Sequence, residues 1–172
     1  GVLCSAFAKE LAQKGVKVAV LDLKEEAAKS VSDDINNSGG VSFYYKADVL
    51  NKESMLSVSK KIDKDLGKCD ILINGAGGNS PKATTTKETF ETKDLQDDLV
   101  TSFFDLDPGN INNLFQLNFT GTLIPTQVFA KDMAKKGGVI INMSSMSAYS
   151  PMTKVPAYSA AKAAISNFTM WL

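Results

Sequence analysis

Tyr158-Ser159-Ala160-Ala161-Lys162 sets a phenol and an ammonium four residues apart, one above the other on a single helix face. A tyrosine that titrates near pH 10 is a poor acid–base group at neutrality. A cation roughly 4 Å away, at an effective dielectric of about 20, favours the phenolate by up to about 4 kcal/mol before solvent discounts it. That is enough to bring the phenol towards a working range. Such a pair alone is also what a solvated helix face looks like, so its surroundings decide. Upstream, Asn142-Met143-Ser144-Ser145 follows the apolar run Val139–Ile141, and Ser145 lies on the connection leading into the Tyr158 helix. Its hydroxyl could meet the same carbonyl as the phenol. Asn74-Gly75-Ala76-Gly77 likewise follows an apolar run directly, and its small residues let a ligand approach the backbone closely. Each piece read separately is a turn. Three polar elements at the ends of strands, where open α/β sheets place their ligands, are harder to explain that way.

Other chemistries are excluded by composition. The chain has no His, which removes Ser-His and Cys-His catalysis and the commonest metal ligand. All nineteen basic residues are Lys, so no guanidinium clamp on phosphate or carboxylate is present. Nineteen acidic residues balance them, and the zero net charge gives no bulk attraction to nucleic acid or anionic membrane. Cys4 and Cys69 have neither metal-ligand spacing nor the numbers for a disulfide framework, and read as structural. With no signal-peptide pattern and no apolar run near twenty residues, the expected location is cytoplasmic.

These groups need a scaffold, and 172 residues with 44% hydrophobic content suffice for one domain with a sizeable core. Apolar residues recur at helical spacing from Val2 to Gly15. The short apolar runs Val16–Leu21, Val41–Tyr45, Ile71–Ile73 and Val139–Ile141 read as strands, the first buried on both faces as in parallel sheets. Helices are predicted at Glu25–Asn36, Lys52–Leu66, Ile111–Lys135 and from about Val155 to Trp171. Residues 75 to 110 are too long for an ordinary connection and read as a functional loop with short helices of its own, or as partly disordered. The alternation predicts an α/β fold: a doubly wound parallel sheet of Rossmann type with helices on both faces. The dinucleotide-binding version has a central first strand that this chain lacks. The expectation is a single NAD(P)-binding domain over residues 1–172, with native polypeptide extending before Gly1 and beyond Leu172.

Asp22 ends the first strand, where a carboxylate can accept from the adenosine ribose hydroxyls of NAD and repel the extra phosphate of NADP. NAD is therefore the expected cofactor, with NADP less favoured, although Lys24 could pair with a phosphate. Asp22 could otherwise cap the next helix. Asp48-Val49 after the second strand could meet the adenine, or Asp48 could simply cap the helix near Lys52.

Together these residues resemble the short-chain dehydrogenase/reductase family over the whole chain. Its pattern of Tyr-x-x-x-Lys with a Ser thirteen residues upstream fits Tyr158, Lys162 and Ser145. An Asn in the preceding long helix fits Asn118, and the family's Asn-Asn-Ala-Gly stretch is present as Asn74-Gly75-Ala76-Gly77 with one change. Within the family the chain is most similar to the D-mannonate oxidoreductase (fructuronate reductase) subgroup. The extended loop from Gly77-Gly78-Asn79 to Phe103-Phe104-Asp105-Leu106-Asp107 and the segment from Asn118 to Gln127 carry that likeness. The resemblance implies hydride transfer between a nicotinamide and a secondary alcohol or ketone, with a sugar acid as substrate. It implies that Tyr158 exchanges the proton and Ser145 holds the carbonyl oxygen. Lys162 would lower the Tyr158 pKa and bind the nicotinamide ribose, and Asn118 would hold a water in a proton relay. Asn79 and Lys82 are candidate substrate contacts. A homodimer or homotetramer packed through the Ile111–Lys135 and Val155–Leu172 helices is implied too. Phe115, Val128, Phe129, Phe168 and Trp171 suit that packing or an ordinary core.

The family's glycine-rich turn would place its last two glycines near Val2 and Cys4, leaving Gly1 as the candidate pyrophosphate contact. A Cβ there hinders close approach at a helix N-terminus. That departure keeps a second function open, a cofactor-binding sensor or degenerate member without catalysis, which has no need of Ser145 or Tyr158. A methyltransferase would share an acidic residue like Asp22 but gives no reason for the Ser145/Tyr158/Lys162 spacing.

Overall fold

The computed structural model describes all 172 residues, Gly1–Leu172. In chain order the regular elements are α1 (Val2–Gln13), β1 (Val18–Asp22), α2 (Glu25–Asn37), β2 (Ser42–Lys46), α3 (Lys52–Asp65), β3 (Ile71–Asn74), α4 (Pro108–Phe115), α5 (Gly121–Lys136), β4 (Val139–Asn142) and α6 (Pro156–Trp171). The α/β alternation is as the sequence predicts. The strands pair two by two: β1 with β2 in parallel, Val18 opposite Ser42 and Asp22 opposite Lys46, and β3 with β4. Val139 N–H donates to the Asp70 carbonyl and Met143 N–H to the Asn74 carbonyl, so the second pair is parallel as well. Burial of β1 on both faces is not observed. Every residue of β1 is half-buried, and Ile71, Val139 and Ile141 are exposed.

Two compact units divide the chain. The first comprises Gly1–Leu72 with Ile124–Ile140. Its core joins Tyr45, Met55, Val58, Ile62, Leu72, Phe129 and Met133, with Val49 and Val128 packed against them. Phe129 and Val128 are thus core residues. Gly15 closes α1 at φ +83°, as its predicted C-cap role requires.

The second unit, Ile73–Leu123 with Ile141–Leu172, holds the long connection. That connection is ordered by three 3-10 turns at Pro81–Ala83, Thr92–Gln96 and Phe103–Asp105. Glu91 with Asp94, and Ser102 with Asp105, form reciprocal capping boxes. The buried Asp94 also takes the Lys87 ammonium at 2.5 Å. Lys87 holds the Asp94 carboxyl below the usual carboxylate range. Asp94 therefore supports the loop above that range, and the support is lost as pH falls through its lowered folded pKa. Replacing Asp94 by Ala should make residues 87–105 the first site of cleavage in limited proteolysis, and acidification of the unaltered protein should do the same.

Ala83 is completely buried with Leu114, Ala157 and Ala161, and Ile111, Phe115 and Tyr158 pack on this cluster. Asp107 caps α4 by accepting from Asn110 N–H, and Pro108 occupies its first turn. The predicted single helix Ile111–Lys135 therefore begins earlier. It is also interrupted, by one π-helical turn at Gln116–Thr120.

Candidate active site

Within the second unit, α6 packs on α4, on the π-helical turn and on the short turn Met146–Ala148. Pro156 opens α6 with a fixed φ, and its Ala-rich face (Ala157, Ala161) lets it lie close to its neighbours. One position further along, Tyr158 and Lys162 share the adjacent side of the helix. Lys162 is buried, its Nζ donates to the Met143 carbonyl at 2.7 Å, and it stands 5.6 Å from the centre of the Tyr158 ring. Burial pushes the Lys162 ammonium below its ordinary pKa. The amine thus sits over the ring face, a cation–π arrangement.

Ser145 ends the segment after β4 and caps the Met146–Ala148 turn. Its Oγ accepts from Ser147 N–H at 3.2 Å and from Ser147 Oγ at 2.9 Å. Ser144 Oγ binds the Lys162 carbonyl at 3.1 Å and lies 2.6 Å from Ser166 Oγ, tying this segment to α6. Deeper still, Asn74 Nδ2 donates to Asn142 Oδ1 at 2.8 Å, and Asn142 Nδ2 donates to Thr169 Oγ1 at 2.9 Å. The ends of β3 and β4 are therefore bound side chain to side chain to α6.

Asn118, fully buried in the π-helical turn, clamps the segment after β3. Gly78 N–H donates to Asn118 Oδ1 at 3.1 Å, while Asn118 Nδ2 donates to the carbonyls of Gly78 and Leu114, both at 2.9 Å. Gly77 has φ +145°, and a Cβ built there would lie 2.6 Å from Asn118 Oδ1 and 3.6 Å from Lys162 Nζ. Only glycine allows that approach. Asn74, Gly75, Ala76 and Gly77 thus reach the same unit as Asn118, Ser145, Tyr158 and Lys162. The turn before α6 carries one more unusual residue, Lys154 at φ +70°, whose carbonyl accepts from Thr85 of the long connection at 2.9 Å.

The remaining candidates belong to the first unit. Asp22 Oδ1 accepts from Lys24 N–H at 2.9 Å, a local turn that leaves α2 without a side-chain cap. Asp48 Oδ1 accepts from Leu50 N–H, and the cap of α3 is Asn51, which accepts from Ser54 N–H. Neither aspartate is a helix cap. Val49 packs into the core, and Gly1 stands at the start of α1 with open space about its Cα. No group of His, Cys, Asp or Glu could hold a metal ion, and no helix is long and apolar enough to cross a membrane.

Residues 3–172 match the family profile of the short chain dehydrogenases. The chain belongs to that family. It is 57% identical, over its full length and 60% of the relative's, to an uncharacterised oxidoreductase of Haemophilus influenzae. To the uncharacterised oxidoreductase UxuB of Bacillus subtilis it is 50% identical, over its full length and 61% of that protein. Among solved structures, a proposed D-mannonate oxidoreductase from Haemophilus influenza with bound NAD is 55% identical. It superimposes with a TM-score of 0.95 over 99% of this chain and 61% of that one. The chain spans about 60% of the length of these relatives. The short-chain dehydrogenase fold accounts for the doubly wound topology read from the sequence.

The spacing of this short-chain dehydrogenase marks out Ser145, Tyr158 and Lys162, but four supporting groups escape it: Gly78, the Met143 carbonyl, Ser147 and the π-helical turn. Ser147 had a local signal, since a serine two residues after another suits a hydroxyl-capped turn. The Asn118–Gly78 clamp joins residues forty apart and left none.

Proposed function

We propose that this chain carries the NAD-binding and acid–base machinery of an oxidoreductase that interconverts a secondary alcohol and a ketone, acting on a sugar acid of the D-mannonate/D-fructuronate type. One observation carries the reading. Tyr158, Lys162, Ser145 and Asn118 lie in one compact unit, with the Lys162 ammonium buried against the Tyr158 ring and fixed by the Met143 carbonyl. A solvated helix face has no use for a buried amine.

Several features fit a nicotinamide dinucleotide. The Gly75–Gly78 segment presents no side chain larger than that of Ala76, and Gly77 is packed so tightly that a methyl group would collide. Within the first unit Asp22 keeps its second carboxylate oxygen for ribose hydroxyls, with Asp48, Val49 and Gly1 as further candidate contacts; within the second, Lys162 keeps two ammonium hydrogens. When bound, the nicotinamide supplies the site for hydride transfer. Tyr158 gives its proton to the carbonyl oxygen in reduction and takes the alcohol proton in oxidation. Ser145 donates to the same oxygen and fixes its position. Both amide hydrogens of Asn118 are committed to Gly78 and Leu114, so a relay water at Asn118 uses an acceptor oxygen.

The sugar-acid assignment draws on the D-mannonate name carried by the Haemophilus structure and on the long connection. Lys82 is exposed there without an ion pair and can meet a carboxylate, whereas Asn79 is bound to Thr84 Oγ1 at 3.0 Å. Assembly through α6 as a homodimer or homotetramer is proposed on the family likeness alone, and Phe115 is packed in the core. The test is NADH formation from D-mannonate, and NADH consumption with D-fructuronate, by the polypeptide containing this chain. Activity with NAD should exceed that with NADP, and Asp22→Ala should shrink the preference roughly tenfold. No turnover with any sugar acid, or a preference for NADP, would overturn the corresponding part of the reading.

A further inference from the structure

One hydroxyl beside the site has no part in the chemistry above. Ser147 is fully buried, two residues after Ser145, and both its donors are aimed at a single atom. Its Oγ donates to Ser145 Oγ at 2.9 Å and its backbone N–H to the same oxygen at 3.2 Å. A serine oxygen has two acceptor positions and one hydrogen. Ser147 directs both donors at the acceptor side of that oxygen, which turns the Ser145 hydrogen away from Ser147 and leaves it as the group to offer.

We propose that Ser147 is a positioning residue that fixes Ser145 as a hydrogen-bond donor alone. A donor-only hydroxyl can hold a ketone or alkoxide oxygen but cannot take the hydrogen of an alcohol. Tyr158 is then the one hydroxyl of the pair that can receive the substrate proton. Burial reinforces the arrangement, because the space freed by losing one hydroxyl is too small to admit a water as substitute donor. The proposal rests on the alcohol–ketone reading of the same site.

The test is a double-mutant cycle in the polypeptide containing this chain, read by kinetics and by calorimetric binding of D-fructuronate to the NAD-loaded protein. Ser147→Ala should lower kcat and weaken ketone binding, each roughly tenfold, while leaving the affinity for NAD unchanged. In a Ser145→Ala background the same substitution should change neither quantity, since its effect passes through Ser145. Ser147→Cys preserves the packing but offers a weak donor, and should resemble the alanine variant. Equal losses in both backgrounds, full activity of Ser147→Ala, or wild-type behaviour of Ser147→Cys would each overturn the proposal. Tyr158→Phe is run in parallel. Retained turnover in that variant overturns the alcohol–ketone reading and leaves the cycle to judge Ser147 separately.

Discussion

Replacing Tyr158 by Phe should reduce turnover by roughly 10²–10⁴-fold, the usual contribution of a positioned acid–base group. The ring contacts survive this change: Phe keeps the packing against Ala83, Leu114, Ala157 and Ala161, and keeps an aromatic face under the Lys162 ammonium. Thermal stability and affinity for NADH, followed by its fluorescence on binding, should therefore stay close to those of the unaltered protein. Loss of kcat with binding intact is the signature of an interaction made only in the transition state. Near-full turnover would remove Tyr158 from the chemistry, and equal loss of binding and turnover would make it a packing residue.

The parts of this site that could be read in advance lie on one short stretch of chain. Ser145, Tyr158 and Lys162 follow β4 within a single strand–turn–helix passage, so their spacing translates directly into position. The interruption at Gln116–Thr120 was hidden for a different reason. Apolar residues from Ile111 to Lys135 keep a helical rhythm, and rhythm reports the buried face rather than the hydrogen-bond ladder. Side chains divert that ladder: Asn118 Nδ2 donates to the Leu114 carbonyl and Thr122 Oγ1 to the Asn118 carbonyl, each four residues back. Such back-bonding competes with the backbone, and a π-helical turn is the result. The capping of α3 went to Asn51 instead of Asp48, a choice between adjacent polar residues that only loop geometry settles.

Gly77→Ala should cost about 1–3 kcal/mol from its backbone conformation alone, lowering Tm by roughly 2–12 °C. The φ of +145° is open to glycine, and the added methyl would meet Asn118 Oδ1 at 2.6 Å. That oxygen is held by Gly78 and cannot retreat without releasing the clamp. The variant should lose NADH affinity and turnover together, in contrast to Tyr158→Phe. Calorimetric melting with a fluorescence titration distinguishes the two cases. An unchanged melting temperature would show that the close approach of Gly77 to Asn118 is not a constraint in solution.

Ala83 bears on how enzymes of this kind can be re-engineered. Its methyl group is sealed between α4 and α6, beneath the same residues that seat the phenol. The long connection is therefore keyed into α6 and is not an appendage that can be exchanged freely. Grafting a shorter segment from a relative would leave a methyl-sized hole at that point, worth about 1 kcal/mol and some loss of rigidity. Chimeras aimed at new substrates should carry the Pro81–Ala83 turn with them and vary only what lies outward of it.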